Sequence, residues 1–339
     1  MQRLGESFRR FRRGGISPSR YRQICVVAFA LLCTIVVTGA AVRLTGSGLG
    51  CSDWPRCSTT KLVDVGSKHA AIEQLNRLFT GLVALIVIVA VLGALVRRPR
   101  RRDLTWLSVG LVVGVLGQIV LGGITVMVHL HPVAVQGHMI LSLILVTNAV
   151  VLMIRAGQPD EGRRIDAVVP RTKSRVWMVA VWTAVAVVAG TVVTGTGPHA
   201  GDIKARRFDL AITTVSRVHG IVVWVAVAAA LVLMWHLRKL GHDRKVLNAP
   251  IVAWFCAAAL QGTVGYVQYF SGVPAPLVAL HVAGATTLWS VTVWLVCSTR
   301  KVTMSAGEFV RHVQSEIAAD AVAPVEAFRA SLVAGADQA

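Results

Sequence analysis

Charge is scarce in this chain. Only 15% of its 339 residues are Asp, Glu, Lys or Arg, where a soluble domain carries about 25%. Apolar residues make up 55%, and mean hydropathy is +0.64. That balance excludes an ordinary soluble fold and a disordered chain, because so much apolar surface needs lipid around it. Acidic residues are the scarcer sign, 16 against 35 basic, for a net charge of +19. In a soluble protein the excess would point to nucleic acid. Here the basic residues fall in short runs between apolar stretches, so they read as a topology signal and no nucleic-acid partner is expected.

Eight apolar stretches lie near 24–42, 74–96, 104–127, 133–154, 176–195, 212–236, 250–270 and 276–298. About 20 apolar residues cross the hydrocarbon core as a helix, and lipid cannot satisfy an open strand edge. The expected fold class is an all-α membrane protein with eight transmembrane helices. Twenty-six of the 35 basic residues fall on one side of this arrangement and nine on the other. Basic loops stay in the cytoplasm, so the expectation is a multi-pass protein of the cell membrane with both termini cytoplasmic. The first stretch is too long for a signal peptide and no A-x-A site follows it, so it reads as an uncleaved anchor.

The two halves answer one another. Adding 143 carries Asn76, Gln118, Gly122 and His138 onto His219, Gln261, Gly265 and His281. A shift of 151 carries Gly39, Thr45, Gly46 and Gly50 onto Gly190, Thr196, Gly197 and Gly201, the difference fitting a longer first outer loop. Four spans per repeat is an even number, so both halves insert the same way up, as a parallel repeat. The expected organisation is a basic arm (1–23), a first four-helix bundle (24–155), a linker (156–175), a second bundle (176–298) and a polar tail (299–339).

Histidines inside spans are uncommon and usually functional. His138, His219 and His281 all sit early in outward-starting helices, so topology puts them at similar depth toward the outer leaflet. His219 and His281 occupy the second and fourth helices of one bundle. Two imidazoles from facing helices suit a heme iron with both axial sites filled. Zinc would want three or four ligands, and no Cys, Asp or Glu stands at these depths in that half. The bland alternative is a histidine that hydrogen-bonds a neighbouring helix. In the first bundle Asn76 stands where His219 stands in the second. Asn is a poor iron ligand, so that half would hold a heme with one open side, a site for chemistry beside a site for electron transfer. His129, His131 and His199 fall in outer loops and are expected to be solvated.

Glu73 lies one helical turn before Asn76, on the same face. An acid at a span entrance is costly without a task. It reads as a proton carrier, as a negative group stabilising developing positive charge, or as a solvated first-turn acid favoured by the helix dipole. Arg43, Arg77 and Arg217 share that level and could hold heme propionates in bidentate fashion, or simply snorkel to the interface. Cys51 and Cys57 lie together in the first outer loop, an oxidising compartment where a disulfide is expected; a structural clamp and a redox pair both fit.

These residues resemble a known family. The stretch from Arg43 through Thr45, Gly46, Gly48, Gly50, Cys51, Asp53, Trp54 and Pro55 to Cys57 resembles the first outer loop of the heme A synthases. Glu73-Gln74-Leu75-Asn76-Arg77 resembles that family's Glu-x-x-His-Arg segment, and Thr194 to Asp202 resembles its third outer loop in actinobacterial-type members. His138, His219 and His281 fall where the family places heme ligands. The resemblance covers about 24–298. It implies oxidation of the C8 methyl of heme O to a formyl group, giving heme A for cytochrome c oxidase, by two hydroxylations and loss of water. It implies heme b between His219 and His281, heme O bound with His138 as ligand, and Glu73 as the catalytic acid. It implies as partners the farnesyltransferase that makes heme O, the oxidase assembly line and membrane lipid; the electron donor stays open, a quinol being one candidate. Asn76 departs from the family's His, and the third outer loop lacks the second Cys pair of some members. Two other classes compete: a bis-His quinol cytochrome, which needs no Glu73, and an eight-helix transporter, which would purify without heme.

Overall fold

A computed structural model describes residues 15–203 and 205–303 of the chain. The basic arm up to residue 14, Lys204 and the tail from residue 304, His312 included, lie outside the described residues. The eight apolar stretches form helices α1 (Pro18–Leu44), α2 (Lys68–Val96), α3 (Arg102–Met127), α4 (Pro132–Ala156), α5 (Pro170–Thr196), α6 (Ile212–Leu237), α7 (Gly241–Phe270) and α8 (Ala275–Cys297). All eight are long and apolar enough to cross a membrane. The protein is an all-α, multi-pass membrane protein.

Most helices run past their apolar stretch at the end where the basic residues cluster, here the basic end. Proline starts α1, α4 and α5, where its missing N–H is an orphan anyway. Ser17 caps α1 and Ser67 caps α2, each hydroxyl accepting the N–H three residues on. The largest difference from the expected spans is α7. It begins at Gly241, well ahead of Pro250, which now lies inside the helix. Long membrane helices tolerate the bond a proline removes. The extra turns carry Asp243, buried, whose carboxylate accepts the Val169 N–H at 3.2 Å.

Helices α1 to α4 each pack on the next, and α4 packs back on α1, closing a ring. Helices α5 to α8 close a second ring in the same way. The rings meet through α4 against α8, α1 against α8, and α4 against α5. Val36, Val146, Val150 and Val293 form an apolar seam there. Polar links reinforce it: Trp289 Nε1 donates to Thr147 Oγ1 at 2.8 Å, and Gln136 Nε2 donates to Thr191 Oγ1 at 2.8 Å.

Each ring's apolar core lies in its basic-end half. The first is built on Tyr21, Cys25, Val83, Val87, Leu104, Leu111 and Leu152, the second on Val176, Val179, Leu233, Leu247, Trp254 and Leu295. Asn76, His138, His219 and His281 stand above these cores, toward the opposite end, here the Cys-loop end.

A separate small unit holds residues 158–166 and 300–303. In it β1 (Arg163–Asp166) pairs antiparallel with β2 (Arg300–Thr303), Arg163 opposite Thr303 and Asp166 opposite Arg300. Neither segment carries a strand pattern in its sequence, so this pair departs from the expected linker and polar tail.

Candidate functional site

The loop between α1 and α2, residues 45–67, folds over the Cys-loop end of the first ring. Cys51 and Cys57 are joined by a disulfide and, with Ala70 of α2, are buried as a small cluster. Gly50 makes this approach feasible, since a Cβ there would collide with the His69 backbone. The loop reaches α3 as well: the Trp54 ring lies 2.7 Å from where a Cβ on Gly123 would stand. Toward the second ring, Gly48 N donates to Gly201 O at 2.9 Å. Leu130, from the α3–α4 turn, packs on both glycines.

Glu73 sits directly under this loop. It lies past the first turn of α2 and is only 6% exposed, so it is not a solvated first-turn acid. Cys51 N donates to its Oε2 at 2.8 Å. Arg77, one turn on, donates to Oε1 through Nη2 at 2.6 Å and Nε at 3.1 Å. The same guanidinium donates to the carbonyls of Asp53 and Arg56, both at 3.2 Å. Arg77 is thereby committed to Glu73 and to the loop. Arg43 donates from Nη2 to Thr194 O at 2.7 Å, capping the end of α5. Arg217 is exposed and its side chain makes no hydrogen bond or ion pair among the described residues. Of the three expected propionate partners, it is the one left uncommitted.

The four positions at ligand depth lie on diagonal helices, Asn76 on α2 with His138 on α4, and His219 on α6 with His281 on α8. Each imidazole rests on a glycine of an adjacent helix. A Cβ would stand 3.4 Å from His138 Cε1 if built on Gly122, 3.2 Å from His219 Cε1 on Gly190, and 3.1 Å from His281 Cε1 on Gly265. Glutamines steady two of the histidines through their backbone: Gln118 Nε2 donates to His138 O at 3.2 Å and Gln261 Nε2 to His281 O at 2.8 Å. The repeat drew attention to these glycines and glutamines, but not to what they do. Thr38 carries no such signal in the sequence; its hydroxyl lies 2.9 Å from Asn76 Oδ1.

The residues present fit a heme in each ring. His219 Nδ1 lies 3.0 Å from Ala186 O, which steadies the ring and leaves Nε2 available to a ligand. Nδ1 of His138 and of His281 is buried with no hydrogen-bond partner and lies beside the Gly122 and Gly265 seats, so Nε2 is the nitrogen left for a ligand. The glycines let imidazoles approach closer than any side chain would permit. Among the described residues no three His, Cys, Asp or Glu side chains converge as a closed metal cluster. Paired imidazoles across a ring are therefore the available donor set.

The other histidines take plain roles. His129 is exposed, as expected. His199 is not free in solvent: it is half-buried, and its Nε2 bonds to Val273 O at 2.8 Å, because the turn before α8 comes over the third outer loop. His69 Nδ1 bonds the buried Ser47 hydroxyl at 2.9 Å.

Comparison with known proteins gives the chain's relatives. The family described as cytochrome oxidase assembly protein matches residues 22–73 and 62–293. The chain is 25% identical over 284 residues to a protein of Listeria welshimeri named heme A synthase, covering 80% of this chain and 92% of that one. A Listeria monocytogenes protein of the same name matches at the same identity and coverage. A Bacillus cereus protein, again of that name, is 22% identical over 298 residues, 84% of this chain and 95% of its own length.

Proposed function

The chain belongs to the cytochrome oxidase assembly protein family, and on that premise we propose that it acts as a heme A synthase. In this reading it oxidises the C8 methyl of heme O to a formyl group by successive hydroxylations. The observation that carries it is the asymmetry of two otherwise matching rings. One diagonal holds two imidazoles. The other holds one imidazole and an amide, and among the described residues only this ring has a buried carboxylate, Glu73, at its mouth.

Heme b, if held by His219 and His281, would supply one-electron redox chemistry. The protein's own part there is to fix ring orientation, through Ala186 O for His219 and through the Gly190 and Gly265 seats. In the first ring His138 would bind the substrate heme on one side. Glu73 would accept protons from the reacting carbon, or stabilise positive charge developing beside it. Cys51 N–H and Arg77 hold that carboxylate still, and a positioned group loses no time to reorganisation. The disulfide loop clamps both partners and would keep water from the reacting carbon. Arg217 is the available propionate partner; Arg43 and Arg77 could serve only by giving up a present bond.

The basic end would face the cytoplasm, both termini with it, and the heme sites would lie toward the outer leaflet. We read α1–α4 and α5–α8 as repeats about an axis along the membrane normal. The pairing of α1–α8 with α4–α5 contacts around a central α4–α8 contact supports this. Heme O would come from its farnesyltransferase and heme A would pass to cytochrome c oxidase assembly. The test is direct: supply purified protein with heme O, a reductant and air, whose dioxygen serves as terminal oxidant, and look for the formyl product. A heme-loaded protein that leaves heme O unchanged would be an electron carrier instead, and a protein that purifies heme-free and takes up none would be neither.

A further inference from the structure

The seat under Asn76 is built differently from the other three. At the shift of 151 that relates the first helices of the two halves, Ile35 corresponds to Ala186, Thr38 to Ala189 and Gly39 to Gly190. In the second ring Ala186 O accepts from His219 Nδ1 at 3.0 Å, and the imidazole covers Gly190. In the first ring the matching carbonyl, Ile35 O, lies 3.3 Å from the Thr38 hydroxyl. That hydroxyl also lies 2.9 Å from Asn76 Oδ1, and a Cβ on Gly39 would meet no atom within 4 Å. Two differences thus occur together. Where the second ring has His with Ala, the first has Asn with Thr, and the threonine stands at the carbonyl that would otherwise anchor an imidazole.

This pairing decides what Asn76 can offer. Thr38 engages its carbonyl oxygen, so the amide –NH2 is the end left for the ring interior. An amide nitrogen is a hydrogen-bond donor with no lone pair to give a metal. Donors and steric access on the far side of a heme determine whether small molecules bind there. We propose that Thr38 and Asn76 together replace an axial imidazole with a donor-lined pocket, opposite His138, for a small diatomic ligand. Thr38 is a positioning residue that acts through Asn76. The inference rests on the reading of the first ring as a heme site.

Carbon monoxide is the probe. Full-length protein is loaded with excess protoheme and reduced with dithionite. Wild type should hold two hemes per chain and bind carbon monoxide at one, while the His219/His281 heme stays low-spin and reports the fold. The double variant Thr38→Ala/Asn76→His copies the second ring's pair; it should lose carbon monoxide binding and show a second low-spin heme. Asn76→Leu should still bind carbon monoxide but with a raised C–O stretching frequency, since the donor is gone. Thr38→Val should broaden or raise that band by freeing the amide. Wild type carrying two hemes yet refusing carbon monoxide would overturn the proposal and leave the synthase reading standing. So would an unchanged stretch in Asn76→Leu, or unchanged carbon monoxide binding in the double variant. A single heme per chain under excess protoheme would remove the first site and the proposal with it.

Discussion

Arg77 Nη2 lies 2.6 Å from Glu73 Oε1, and the same guanidinium reaches the carbonyls of Asp53 and Arg56. One side chain thus ties the carboxylate to the loop that covers it. An ammonium cannot make this fork of bonds. Arg77→Lys should keep part of the charge pairing and lose the loop contacts. Arg77→Ala should lose both, at a cost of about 1–3 kcal/mol for a buried acceptor left unsatisfied. The readout is the rate at which a water-soluble reductant opens the Cys51–Cys57 bond. It should rise in the order wild type, Lys, Ala; equal rates would mean the loop holds itself.

Glu73→Gln keeps the size and loses the charge. The variant should fold, keep the low-spin heme at His219/His281, and accumulate heme O or a hydroxylated product. Loss of an acid–base group costs about 10²–10⁴-fold in rate, so heme A should nearly vanish from cells that make only this variant. Normal heme A content would reduce Glu73 to a structural anchor of the loop.

His219→Ala and His281→Ala should each abolish the low-spin signal. Gly265→Ala is the finer test, because its methyl would stand 3.1 Å from His281 Cε1 and push the ring off its seat. Reduced heme b content or a shifted spectrum is expected. Gly262→Ala, on the same helix with nothing within 4 Å of the added carbon, should leave the spectrum alone. If both alanines behave alike, the glycine seats have no role in ligand placement.

Cys51 and Cys57 are buried together against Ala70, so they should resist alkylation in native membranes and appear linked in mass spectra taken without reductant. Two freely alkylated thiols would contradict the clamp.

Much of this was legible in the sequence. Eight stretches of lipid-compatible length forced eight helices, and the offsets of 143 and 151 picked out the glycines on which the imidazoles rest. Helix ends were less legible, because Pro250 looks like a start when read alone, while the helix is already underway nine residues earlier at Gly241. The β1–β2 pair was invisible: Arg-Arg-Ile-Asp and Arg-Lys-Val-Thr are too short and polar to show alternation, and each needs a partner far along the chain. Arginine partners were illegible for a related reason. Arg43 and Arg77 bond mainly to backbone carbonyls, whose positions depend on how the loops fold and leave no mark in residue type. Thr38 was missed because a hydroxyl within a span usually bonds back along its own helix, and only the packing of α1 on α2 brings it to Asn76.

The lid formed by residues 45–67 runs from α1 over Glu73 on α2 to Gly123 on α3. On the proposed heme O reading, a mouth covered in this way would bar a rigid macrocycle from the aqueous side. It would then arrive sideways, between helices, out of the bilayer. Turnover then becomes a problem of two-dimensional traffic: its rate should follow the mole fraction of heme O in the lipid, and diluting vesicles in buffer at fixed lipid composition should leave it unchanged. A rate that tracks bulk concentration instead would mean that the lid opens.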